Sequence, residues 1–130
     1  MDDSKPLKAE DILGIDDRPM EKAEVPEWNG HVFLRTISGA ERDAFEAESF
    51  RQERPNYQNL RARYLALTLT DENGDRLFNA KQVAELGKKA APVLDRLFTR
   101  AAKINAMSPG DVDELLGNSE AGPTGDSTTD

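Results

Sequence analysis

Apolar positions recur at helical spacing over most of this chain, while a short run near its start reads as strand. The helical pattern is cleanest after Pro92, where Leu94, Leu97, Phe98, Ala101 and Ile104 share one face and Arg96, Arg100 and Lys103 the other. Proline suits a first helical turn, and this segment is the expected spine of the core. Ser38 and Glu41 stand at capping-box spacing, which predicts a helix start. In that helix Ala40, Ala44 and Ala47 make a narrow small-residue stripe flanked by Phe45 and Phe50, while Glu46 and Glu48 face water; Pro55 marks its end.

From about Asn56 a second helix is expected, with Leu60, Tyr64 and Leu67 in register and Arg61 and Arg63 outside. Its end is ambiguous. Leu65 to Thr70 also alternates like a strand, and Asn73-Gly74 can turn a hairpin into Arg76-Leu77-Phe78; the upstream period favours helix. Asn79 caps a short helix carrying Val83 and Leu86, with Gly87 as the stop. Ser108-Pro109 opens a last one with Val112, Leu115 and Leu116. Between Glu24 and Ile37, β-branched and aromatic residues flank Asn29-Gly30, a dipeptide suited to a tight hairpin turn. Two short strands follow from this, and Pro26, which lacks a ladder donor, places the first at a sheet edge or leaves it barely a strand.

The expected class is mainly α (α+β): four to five helices with a short N-terminal β-hairpin and disordered ends. Residues 1–23 read as a flexible acidic arm, 24–118 as one folded domain and 119–130 as a disordered tail. Within the arm, Ala9 to Leu13 can form a helical turn closed by Gly14 and dock as a short linear motif.

Composition narrows the function. With 17 basic and 25 acidic residues, a net charge of −8 makes a phosphate-tracking surface a poor expectation, so nucleic acid is not the predicted partner. Cysteine is absent, which removes disulfides, thiolate nucleophiles and Cys-rich zinc sites. The acidic start carries no secretory pattern, and no apolar run approaches the roughly 18 residues of a membrane span.

The chemistry census is short. His31, the only histidine, reads as an ordinary strand residue. Asp71, Asn73 and Asp75 imitate the first ligand positions of an EF-hand loop, but Arg76 replaces the turn glycine and Gln82 the bidentate Glu, so a solvated acidic turn is expected. No phosphate loop or nucleophile elbow occurs. No catalytic residue, metal or cofactor is predicted, and the chain is not expected to be an enzyme. Partner binding needs only an apolar or aromatic patch with a polar rim. Trp28, the only tryptophan, is the first candidate anchor, followed by Phe33, Arg35 and Phe45. For each there is a plainer alternative: core packing for the aromatics, local pairing for Arg35.

In chain order the acidic arm, Val25-Pro26-Glu27-Trp28-Asn29-Gly30, the strand ending Leu34-Arg35-Thr36, and Ser38-Gly39-Ala40-Glu41-Arg42 carry a family resemblance. It continues through the acidic turn before Leu77-Phe78, Leu97-Phe98 to Ile104-Asn105, and Val112 to Leu115. Over about residues 10–119 the chain resembles the tail assembly chaperones of siphophages and related prophages. The resemblance implies a protein of the host cytoplasm, absent from the mature virion, that binds the tape measure protein and keeps its helices soluble while the tail tube assembles. It implies further partners in the tail tube protein, a frameshifted longer form of the chain and a second copy. It supplies no defined active site. Two other classes fit the residues: a structural tail or neck component of the virion, and a small bacterial adaptor or regulatory protein.

Overall fold

The computed structural model describes residues 4–50 and 53–107. The helix expected from Ser108 and the tail expected at 119–130 lie outside the described residues. Ala9–Gly14 forms the first helix, α1, whose start is fixed by the Lys8 N–H donating to Asp11 Oδ2 at 3.0 Å. None of its side chains is buried. Strand β1 (Met20–Val25) begins earlier than expected, so the anticipated boundary between residues 23 and 24 falls inside it. It pairs antiparallel with β2 (Gly30–Arg35), from Met20 opposite Arg35 to Val25 opposite Gly30.

The connection differs from a two-residue turn. Pro26–Trp28 makes one 3-10 turn, and only Asn29 takes a positive φ, of 60°; Gly30 already belongs to β2. Proline's fixed φ and missing donor favour the start of a helical turn over a ladder position, so Pro26 ends β1 instead of sitting in it. β1 is the edge of the sheet, as its flanking proline suggested.

The capping box forms as its spacing predicts. The Ser38 N–H donates to Glu41 Oε1 at 2.8 Å and the Glu41 N–H to Ser38 Oγ at 3.1 Å, opening α2 (Gly39–Phe50). The alanine stripe does not face the core. Ala40, Ala44 and Ala47 are exposed, Phe45 and Ser49 are buried, and Glu46 is half-buried. The two phenylalanines decide the rotation of the helix, since a ring buries far more apolar surface than a methyl group.

Helix α3 (Leu60–Thr68) starts four residues later than Asn56, because Asn59 holds a left-handed φ of 52° that no helix continues through. Both readings of residues 65–78 are realised in part. The helix runs to Thr68, Leu69–Thr70 then forms β3 beside β2, and Thr70 bridges to Arg76 across the acidic turn. Gly74 takes φ +87° there, and a Cβ would meet the Arg35 guanidinium.

Asn79 accepts from the Lys81 N–H at 2.9 Å and opens a 3-10 turn that continues into α4 (Val83–Leu86). α5 (Ala91–Ile104) is the spine. Val93, Leu94, Leu97, Phe98, Ala101 and Ala102 are buried in it against α3 and the inner face of the sheet. Tyr64 joins α3 to both neighbours, its ring edge-on to Phe45 at 5.1 Å and to Phe98 at 5.2 Å. Burial pushes its hydroxyl up to about 12. No helix among the described residues is long and apolar enough to cross a membrane.

Candidate interaction surfaces

The four side chains singled out in the sequence do not converge. Phe33 and Arg35 lie two residues apart on β2 and so share the outward face of the sheet, where Phe33 meets His31 edge-on at 5.6 Å. Trp28 is half-buried in the 3-10 turn and packs on the core. Phe45 is 5% exposed and belongs to the aromatic core, so it meets a partner only through the ring edge that borders the groove described below.

Arg35 is committed locally. Its Nε donates to the Arg18 carbonyl at 3.3 Å, Nη1 to the Gly74 carbonyl at 3.1 Å, and Nη2 pairs with Asp16 at 3.3 Å. Arg18 interlocks with it: its Nε donates to the Thr36 carbonyl at 2.9 Å and its Nη2 to Glu41 Oε1 at 3.2 Å. Burial raises the Glu41 carboxyl, but the Ser38 N–H and the Arg76 and Arg18 guanidinium groups outweigh it and hold its pKa down. The root of the arm is thus pinned to β2 and to the start of α2. Beyond that root Leu7, Ile12, Leu13 and Ile15 are 51 to 84% exposed.

The acidic turn uses its own carboxylate. Asp71 Oδ1 accepts the N–H groups of Asn73 at 2.8 Å and Asp75 at 3.1 Å, the ordinary role of Asp in a tight turn.

An apolar groove of about 560 Å³ lies where α2, α3 and the segment 76–84 meet. Ala44, the Phe45 edge, Ala66, Leu67, Phe78 and Val83 contribute its apolar surface, and Glu41, Glu48, Arg63 and Arg76 its charged border. Arg63 is not the solvated residue that its position in the pattern suggested. With an 11% exposed side chain, it donates to Ser49 Oγ at 2.7 Å, to the Asn56 carbonyl at 2.6 Å and to the Gln58 carbonyl at 3.0 Å. It also lies 5.7 Å from the centre of the Phe45 ring. The groove therefore has one wall fastened to its neighbour by a single guanidinium. Of the alanine stripe read in the sequence, only Ala44 lines the groove; Ala40 and Ala47 are exposed outside it.

The described residues form a small α+β fold with an apolar concavity that carries charges of both signs on its border. The sequence model of the family described as phage tail assembly chaperone matches residues 19–115, and the chain belongs to that family. The fold is similar to the solved structure of the bacteriophage HK97 tail assembly chaperone, with a TM-score of 0.56 and 18% identity over 73% of this chain and 90% of that one. No curated protein matches the chain.

Proposed function

We infer that this chaperone binds the tape measure protein of the phage tail and keeps its apolar helices from associating with one another until the tube is built around them. The observation that supports this is the groove beside α2. It offers small apolar residues on a helical face, room for a partner backbone, and charged side chains on either side, the requirements for seating an amphipathic helix. The protein acts in the host cytoplasm by binding alone, without a chemical step, and leaves before the virion is finished. The tail tube protein, a frameshifted longer form and a second copy are the further partners.

Co-expression with the cognate tape measure protein tests this. The tape measure protein is expected to become soluble and to co-purify only when this chain is present. Ala44→Arg fills the groove from an exposed position, and it is expected to abolish co-purification with the circular dichroism spectrum unchanged. A tape measure protein that stays insoluble with both the short and the frameshifted form overturns the reading. Mass spectrometry of purified particles separates a chaperone, absent from them, from a structural tail component.

A further inference from the structure

Helix α1 carries an apolar face that the rest of the described chain does not cover. Ala9, Ile12 and Leu13 fall at i, i+3 and i+4 on that face, while Glu10 and Asp11 lie off it. Leu7 and Ile15 extend the apolar surface just outside the two ends. None of the helix side chains is buried, and Leu13 is 84% exposed. A helix of six residues is marginal in water by itself, because the few hydrogen bonds it closes do not offset the cost of starting it. A stable α1 therefore needs a surface for its apolar side.

The anchor of the arm brings one such surface within reach. Arg18, four residues after Gly14, donates to Glu41 Oε1 at 3.2 Å, and Arg76 holds the other oxygen of the same carboxylate. Glu41 and Arg76 both line the groove between α2, α3 and the segment 76–84, so the arm leaves the body at one end of that groove. The wall that α2 contributes runs from Glu41 to Glu48, about 10 Å of helix, against about 9 Å for α1. The five residues from Leu13 to Arg18 reach about 16 Å when extended, and Ala44, midway along the wall, lies one helical turn from Glu41. Gly14 has open space around it and lends the connection a joint without a side chain.

The charges on the border are already committed and leave the contact to apolar surface. Glu41 is taken by the Ser38 N–H, Arg18 and Arg76, and Glu48 lies 3.6 Å from Arg63. What remains open is the surface of Ala44, Leu67, Phe78 and Val83, which suits branched aliphatic side chains such as those of Ile12 and Leu13.

We propose that α1 closes over this groove in the free protein, with Ile12 and Leu13 against Ala44, Leu67 and Phe78, and gives way when a partner helix arrives. The second half rests on the groove being the seat of the tape measure protein. The described arrangement is the open one. A tethered occupant covers apolar surface that would otherwise draw free chains together, and its short contact, made without an ion pair, leaves it replaceable by a longer helix.

The chain has no cysteine, so an engineered pair of thiols reports the contact directly. In the full chain, Leu13→Cys with Ala44→Cys joins α1 to the wall of the groove; both sites are exposed, and Ile12 remains to dock. The control, Leu13→Cys with Asn73→Cys, uses an exposed site on the acidic turn next to Gly74, whose carbonyl Arg35 holds on the other side of the arm's root. Under mild oxidation the groove pair is expected to form an intramolecular disulfide at least tenfold faster than the control. Ile12→Asp added to the groove pair is expected to slow it severalfold, which a tether alone would not do. Equal rates for the two pairs, disulfide-linked dimers, or a rate that Ile12→Asp leaves unchanged overturn the contact. The locked chain is expected to lose co-purification with the tape measure protein and to regain it on reduction. Equal co-purification in both states overturns the role of α1 as a plug. A tape measure protein that the unmodified chain never binds overturns the reading of the groove instead, and the disulfide rates still decide the contact.

Discussion

Helices α2 and α5, 12 and 14 residues long, are held by different physics. α5 buries six side chains and would stay in place with its surface charges removed. α2 buries only Phe45 and Ser49 and is fixed by polar clamps at both ends. At its start, Glu41 gathers Ser38, Arg18 and Arg76; near its end, Arg63 holds Ser49 and the following turn. Along its length, Arg42 reaches the Asn105 carbonyl. A helix held this way keeps one face unburied, and that face borders the proposed partner groove. Burial secures the scaffold, and polar clamps position the surface that has to stay open.

Removing a core ring from α5 is the harshest test of this contrast. Phe98 is fully buried, and Phe98→Ala is expected to cost about 3–5 kcal/mol, enough to unfold most of a domain this size, measured by urea denaturation. On the α2 side Arg63→Ala strands the hydroxyl and two carbonyls it served, an expected loss of about 2–3 kcal/mol. Hydrogen exchange sharpens the difference. Arg63→Ala should speed exchange in α2 before α5, whereas Phe98→Ala should raise both together. If Arg63→Ala loosens α2 and α5 equally, the division between them fails.

Smaller effects probe the ends of the spine. Ala106 pays for a left-handed backbone, so Ala106→Gly is expected to stabilise by about 0.5–1 kcal/mol, visible as a raised melting temperature. The Glu27 carboxyl, hydrogen-bonded by Arg96, is held down to about 2 from an ordinary 4.5. Its folded pKa lies below its unfolded one, so its contribution is complete above about 4.5 and is lost as pH falls from there toward 2. Glu27→Gln should flatten the acid limb of a stability profile in that window by slightly lowering stability at neutral pH, leaving stability near pH 2 almost unaffected.

Much of this architecture is legible in the residues. The capping box at Ser38, the apolar face of α5, the Asn79 cap and the α+β class follow from spacing alone, because each is decided within a few residues. What the pattern misses depends on distant partners. Arg63 looks solvated until the turn carbonyls it binds are placed beside it, and the alanine stripe looks like core until two phenylalanines rotate the helix. Strand β1 is hidden because Met20-Glu21-Lys22 is polar enough to pass for arm; its outward positions are those of an edge. Of the candidate binding residues, the structure separates Trp28 from the pair on β2 and gives Phe45 to the core. Binding surfaces leave a weak trace in a single sequence, since a partner and a core ask for the same side chains.

The seat of Trp28 has a spectroscopic consequence. The chain holds one indole, half-buried in the turn that joins β1 to β2 and next in sequence to the glutamate that grips α5. Its emission wavelength therefore reports the joint between hairpin and spine, with no second fluorophore of its kind to blur the reading.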